Sequence, residues 1–352
     1  MVPFTALERA GAARAGAFLN TVEKIVLRGR YLLGEETDAF EHEFAEWCGA
    51  DHAVAVSSGA AALQLALVSV GVRPGDEVIV PAFTAVPTAS AVTAIGAIPV
   101  PVDVLADTAT LDPSLVAAAT TARTRAVIVV HLYGFEAQLP PTDLPIVEDA
   151  AQAHGAVRDH RRSAAVAYSF YPTKNLGGIG DGGAVVTNDP ARAAQLRRLR
   201  VHGMTEMYVH EEISQNFRIS EVEAAWLRIG LASLRAGNAR RRAIAARYRA
   251  AAPSLRWQTQ ADHHVYHLCV ARVPDREAFR EQLAGAGIAT AVHYPLAITQ
   301  QPAYRHFTRA AAPTAEAWAR ECVSLPCFPE LTDDEVDQVC KVLAASTNSL
   351  RS

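Results

Sequence analysis

Between residues 53 and 190 short apolar runs rich in β-branched residues alternate with alanine-rich stretches of helical spacing. AVAV at 53–56 passes through Gly59 into the helical AAALQLALVSVG. EVIVPAF, a helix within VPTASAVTAIG and the run IPVPVDV follow, then RAVIVVHLYG, LPIVEDA, AVAYSFYP and GAVVTN. Continuous apolar runs bounded by turn residues predict buried strands. Strands alternating with helices predict an α/β domain with a largely parallel sheet, whose site collects at the strand carboxyl ends.

From about residue 235 the pattern changes. NARRRAIAARYRAA predicts a long basic helix, HHVYHLCVARV an alternating strand, DREAFREQLAGAG a helix and IATAVHYP a strand. Thr332 to Glu335 has the capping-box spacing that starts a last helix. The chain therefore divides into a large domain, 1–235, and a smaller C-terminal α/β domain, 236–352. It contains neither an internal repeat nor a low-complexity tail.

Composition narrows the function class. Half of the 352 residues are hydrophobic, a fifth are charged, and the formal charge is −4, so nothing points to nucleic acid. The arginine groups at 197–200 and 240–242 read as solvated helix faces. Five cysteines without a C-x-x-C pair predict reduced thiols and a cytoplasmic protein. His263, His264 and His267 lack the partners of a metal site, so no metal is expected. Residues 1–16 have no apolar core of a secretory signal. Residues 78–102 are uncharged and long enough to span a bilayer, but Pro81, Pro87, Pro99 and Pro101 break them into strand, helix and strand. No membrane contact is expected.

The candidate chemistry centres on SFYPTKNLGGIGDGG, residues 169–183. Gly178, Gly180 and Gly183 have dinucleotide-fingerprint spacing, yet they precede a strand instead of opening a helix, so that reading fails. Lys174 is the isolated cation of the segment. Asp149 ends the apolar strand PIVED, and its neighbour Glu148 must face the opposite side. VSSGAAAL turns through Gly59 into a helix whose N-terminus is a ready phosphate seat. A phosphate seat, a strand-end aspartate and a desolvated lysine are what pyridoxal 5'-phosphate requires.

These segments resemble the DegT-type nucleotide-sugar aminotransferases, fold type I pyridoxal phosphate enzymes. VSSG-x-AAL, HLYG, VEDAAQAHGA, SFYPTKNLGGIGDGGAVVTN, N-x-R-x-SE-x-x-AA and HYP carry the resemblance across nearly the whole chain. It implies a seven-stranded, mostly parallel sheet in the large domain and a homodimer with shared active sites. Lys174 would be the Schiff-base lysine and proton shuttle. Asp149 would pair with the pyridine nitrogen, and Gln152 would lie against the ring or its hydroxyl. Ser169 and the amides at Gly59, Ala60 and Ala61 would hold the phosphate, with Asn216 reaching the phosphate of the neighbouring subunit. The implied reaction moves an amino group from a glutamate-like donor to a nucleotide-linked keto-sugar in two ping-pong halves. A cyclitol ketone as acceptor, or a non-catalytic regulatory protein, are the alternatives.

The chain departs from the family pattern in three places. Ala60 replaces a threonine, removing a hydroxyl from the phosphate seat. Ala85 replaces the ring-stacking aromatic, with Phe83 two residues away. The link FEAQLPPTDLPI after Gly134 has three prolines and little room for a crossover helix, so an extended connection is expected. His154 and His293 flank the motifs, each as a substrate contact or a structural hydrogen bond.

Overall fold

The computed structural model describes residues 1–349, so the last three residues of the 236–352 unit lie outside the described residues. Two helices, α1 (Leu7–Arg28) and α2 (Glu35–Cys48), precede the sheet. No local side chain caps α2. The buried carboxylate of Glu221 instead accepts from the N–H groups of Gly34, Glu36 and Thr37 at 2.9, 2.9 and 3.0 Å. It satisfies the orphan donors of that helix terminus from a distant part of the chain.

The alternating runs become β1 (His52–Val56), α3 (Gly59–Ser69), β2 (Glu77–Pro81), α4 (Val86–Ala94), β3 (Ile98–Val102), α5 (Val116–Ala119), β4 (Thr124–Val130), β5 (Ile146–Asp149), β6 (Ala165–Ser169), β7 (Gly183–Thr187) and α6 (Pro190–Leu199). The seven strands form one sheet in the order β1-β7-β6-β5-β4-β2-β3. Pairs from β3 through to β6 are parallel, while β7 runs antiparallel to both β1 and β6. The segment between β6 and β7 contains no helix and returns the chain at the same end of the sheet, which reverses β7. Pro99 and Pro101 fall on β3 at the sheet edge, where a missing N–H is tolerated. The stretch 78–102 is strand, helix and strand, and residues 135–145 connect β4 to β5 without a helix, both as expected.

The remaining elements are the hairpin β8 (Met204–Glu206) and β9 (Val209–His210), α7 (Glu221–Leu231), α8 (Leu234–Ala251), β10 (Arg256–Trp257), β11 (Cys269–Arg272), α9 (Arg276–Gly285), α10 (Pro313–Glu321), β12 (Cys322–Leu325) and α11 (Asp333–Ser349). β10, β11 and β12 form an antiparallel sheet. Ile244, Tyr248, Phe279, Leu283, Val323 and Val339 pack on it, together with Val2 and Ala6 from the other end of the sequence. Val2 bridges Ile288 to fix that contact. The capping box of α11 is present, with Glu335 N–H on Thr332 Oγ1 at 3.2 Å and Thr332 N–H on Glu335 Oε2 at 2.9 Å. Among the described residues no helix is long and apolar enough to cross a membrane.

Two strand expectations are corrected. Within HHVYHLCVARV only Cys269–Arg272 is strand. Upstream, His264 Nδ1 accepts from Tyr266 N–H at 3.0 Å, and Val265 and Leu268 N–H donate to Gly134 and Tyr133 carbonyls. Those bonds bind the run to the loop after β4 in place of a ladder. IATAVHYP is likewise not a strand; it makes single bridges at Ile288 and Ala291.

Candidate active site

Asp149 lies at the carboxyl end of β5 and is 5% exposed. Thr88 on α4 donates to its Oδ2 at 2.9 Å, and Ala151 N–H donates to Oδ1 at 3.1 Å. Burial pushes the carboxyl above its ordinary value, with Thr88, Ala151 and the charge of Lys174 pulling the other way. Glu148 faces elsewhere, as alternation requires. His131 Nδ1 accepts from Ala137 N–H at 3.0 Å, which leaves the ring proton on Nε2, 2.7 Å from Glu148 Oε2. Burial acts to raise Glu148, and the bond and charge of His131 together with Ser163 and His160 outweigh it, leaving the carboxyl below its ordinary value.

Lys174 sits in the turn after β6, its N–H bonded to Tyr171 O at 2.8 Å. As a residue it is half-buried. Its amine makes no ion pair or hydrogen bond among the described residues. Burial pushes the ammonium down to about 8, and Asp149 resists the shift. The glycines that follow pack tightly. A Cβ on Gly178 would lie 1.7 Å from Glu223 Oε1 and 2.9 Å from the backbone oxygen of Phe170, so the close approach itself demands glycine. β7 begins at Gly183, which rules out the dinucleotide arrangement.

Gly59 opens α3 directly against the end of β6. A Cβ there would meet Ser169 Cβ at 2.4 Å and Oγ at 2.9 Å. Ser58 caps the helix by accepting from Ala61 N–H at 3.1 Å, so Ala61 is engaged internally. First-turn N–H groups such as those of Gly59 and Ala60 have no intrahelical acceptor and suit an anion beside Ser169.

Both ends of the Gln152 amide are held: Oε1 accepts from Tyr133 N–H at 2.6 Å and Nε2 donates to Tyr294 OH at 2.9 Å. Asn216 is exposed, its Oδ1 accepting from Arg218 Nε at 2.9 Å, and the main-chain oxygen of its neighbour Phe217 accepts from Ser57 N–H at 2.8 Å just ahead of α3. The cap of α7 is Ser220, which accepts from Glu223 N–H, so Asn216 does not cap that helix. Trp226 is 9% exposed and packs edge-on against Phe18 with centroids 5.1 Å apart. Phe83 is fully buried and stacked on Trp318, so it does not replace the aromatic missing at Ala85. His154 is fully buried against Tyr168 and Phe170. His293 bonds Ser324 Oγ through Nδ1 at 2.9 Å and lines a cavity.

Thr88, Tyr133 and Tyr294 join the cluster without having been singled out in the sequence. Thr88 left a trace, a hydroxyl inside an apolar helix. Tyr133 and Tyr294 lie inside the HLYG and HYP motifs, which the sequence marks without assigning either ring a role.

A model of the DegT/DnrJ/EryC1/StrS aminotransferase family matches residues 13–344. Over 362 aligned residues the chain is 45% identical to dTDP-3-amino-3,4,6-trideoxy-alpha-D-glucose transaminase from Streptomyces venezuelae, covering 98% of this chain and 95% of that one. The X-ray structure of S. venezuelae DesV in complex with ketimine intermediate is similar with a TM-score of 0.92 and 43% identity, covering 98% of each chain. NtdA from Bacillus subtilis with bound cofactor PMP is similar with a TM-score of 0.89 and 27% identity, over 99% of this chain and 85% of that one. The chain belongs to the DegT/DnrJ/EryC1/StrS aminotransferase family and is a pyridoxal phosphate-dependent aminotransferase.

Proposed function

We propose that the chain moves an amino group from a glutamate-like donor to a nucleotide-linked keto-sugar, as a cytoplasmic homodimer with shared sites. One observation carries the reading: an enclosed, unpaired lysine amine shares a site with a buried, hydrogen-bonded aspartate, beside a helix N-terminus pressed against a serine. The transaminase from S. venezuelae, named for a dTDP-linked amino sugar and matched over 98% of this chain, supports the substrate class.

The residues present fit the cofactor. Lys174 would hold it covalently, Asp149 would face its ring nitrogen, and Gln152 would lie against the ring or its hydroxyl. Ser169 with the Gly59, Ala60 and Ala61 amides would hold its phosphate, Ala61 through a bond bifurcated with Ser58. Pyridoxal phosphate, when bound, supplies an electron sink for the carbon that loses a proton. The chain supplies the rest. An amine titrating near 8 takes and releases a proton close to neutral pH, which suits Lys174 to carry it between reacting atoms. Desolvated Asp149 favours a cationic partner and would hold a proton on the ring nitrogen of the bound cofactor. Thr88 and Ala151 aim that carboxylate. Asn216, exposed and not used as a cap, is available to the phosphate of a second subunit. The test is a panel of dTDP- and UDP-linked keto-sugars incubated with glutamate, following 2-oxoglutarate and the amino sugar. Turnover of cyclitol ketones with none of the nucleotide sugars would reject the substrate class.

A further inference from the structure

Among the described residues three arginines are less than a tenth exposed: Arg200, Arg241 and Arg272. Arg200 pairs with Glu41 at 2.5 Å and Arg272 with Glu321 at 2.8 Å. Arg241, on α8, has no carboxylate within ion-pair distance among the described residues. Its Nη1 donates to the main-chain oxygens of Tyr266 and His267 at 3.3 Å each, and to that of Cys327. Nε and Nη2 make no such bond, and neither is among the buried polar atoms cut off from a partner. The open side of the guanidinium therefore faces space.

That space is a pair of cavities, of about 370 and 130 Å³, both walled by Thr5, Thr173, Arg241 and Phe328. The larger reaches Lys174 and includes one acid, Glu330, in its wall. The smaller adds His267 and His293 and has no acid at all. Arg241 is the cation in its wall. His267 is held well below its ordinary value by burial, then by Lys174 and Arg241, and His293 is pushed to about 4 by burial and Lys174. A desolvated cation without a counter-ion is costly, and an incoming anion offsets that cost.

We propose that Arg241 receives a carboxylate of the amino donor in the smaller cavity, with Thr5, Thr173 and His293 around it. The proposal rests on the glutamate-like donor reading above. Size selects the carboxylate. A nucleotide-sized ligand takes a pocket of roughly 300 Å³ or more, whereas about 130 Å³ holds a carboxylate and its neighbouring methylenes. Guanidinium and carboxylate also match as a fork that forms two parallel bonds.

The test uses the holoenzyme and reads the two half-reactions separately by the cofactor's visible spectrum, with glutarate as a non-reacting probe. Arg241→Gln is expected to raise the half-saturating glutamate concentration and the glutarate dissociation constant about tenfold to a hundredfold, the scale of a lost charge-assisted bond. Cofactor occupancy and the half-saturating concentration of the amino-sugar substrate in the reverse half-reaction should stay within about twofold. Arg241→Lys should recover part of the glutarate affinity. An equal loss in both half-reactions, or unchanged glutarate binding, overturns the proposal. If Arg241→Gln does not fold, Thr5→Glu decides, since Thr5 is exposed and walls both cavities. Its carboxylate should occupy the subsite and abolish glutarate binding with the cofactor still held, and unchanged glutarate affinity overturns the proposal. A wild-type enzyme that shows no half-reaction with glutamate rejects the donor reading itself, a separate outcome.

Discussion

Glu223→Gln tests the energetics of the loop that carries Lys174. Glu223 is 4% exposed on α7. Its Oε2 accepts from Gly180 N–H at 2.9 Å, while Oε1 is buried without a partner. Three residues on, Trp226 Nε1–H donates to Gly177 O at 3.0 Å, so one helix face grips the glycine loop at two points. Burial pushes the Glu223 carboxyl up to about 7 from 4.5, against the pull of the Gly180 and Ile179 N–H groups and with Asp181 adding to the rise. At about 1.4 kcal/mol per pH unit that difference amounts to about 3 kcal/mol at most. The unfolded chain gives up this proton near 4.5 and the folded chain keeps it to about 7. The folded state therefore binds more protons across that window, and stability falls as pH rises through it, levelling off above. Glutamine keeps an acceptor for Gly180 and cannot ionise. The variant should therefore gain on wild type as pH rises from 5 to 8, by up to about 3 kcal/mol. At about 2.1 cal/mol/K per residue, that is about 4 °C in Tm for a chain of this length. The readout is the change in the Tm difference with pH, which cancels any constant cost of the buried amide. Calorimetric scans of both proteins at pH 5, 6, 7 and 8 decide it. Parallel Tm curves would refute the reasoning.

Other outcomes follow from the same geometry. Borohydride reduction of the holoenzyme should bleach its visible band and fix the cofactor to the peptide containing Lys174; a label on another lysine contradicts the assignment. Asp149→Asn should retain some cofactor and lose transamination by on the order of a hundredfold or more, measured as single-turnover rates. Gly59→Ala forces a Cβ to within 2.4 Å of Ser169 Cβ and should weaken cofactor affinity at least about tenfold in a fluorescence titration. Lys174→Ala and Asn216→Ala chains, each poorly active alone, should regain activity in mixed dimers in proportion to the heterodimer share. Proven heterodimers without recovery would show that Asn216 does not act across subunits.

Much of the large sheet was legible because its strands are buried on both faces and read as short apolar runs between turn residues. Helix starts were legible where a local side chain does the capping, as Thr332 does for α11. The start of α2 was not, because Glu221 supplies its cap across most of the large domain. HHVYHLCVARV misled for a related reason. Its alternation fits a strand, but the loop after β4 takes the N–H groups of Val265 and Leu268 first.

What the sequence by itself determined is therefore local: the alternation of strands and helices, the opposed faces of Glu148 and Asp149, the glycine at the start of α3, and the lone lysine after β6. Each depends on residues within a few positions, where backbone periodicity and steric fit act directly. Tertiary structure alone decided which groups meet. The strand order puts Thr88 on Asp149, the return of the chain brings Tyr294 to Gln152 and Val2 to Ile288, and packing leaves Arg241 buried beside a cavity with no acid to answer it. Those encounters join residues far apart in the chain. Their energies depend on burial and on what else occupies the site, and neither quantity exists until the sheet and its flanking helices have assembled.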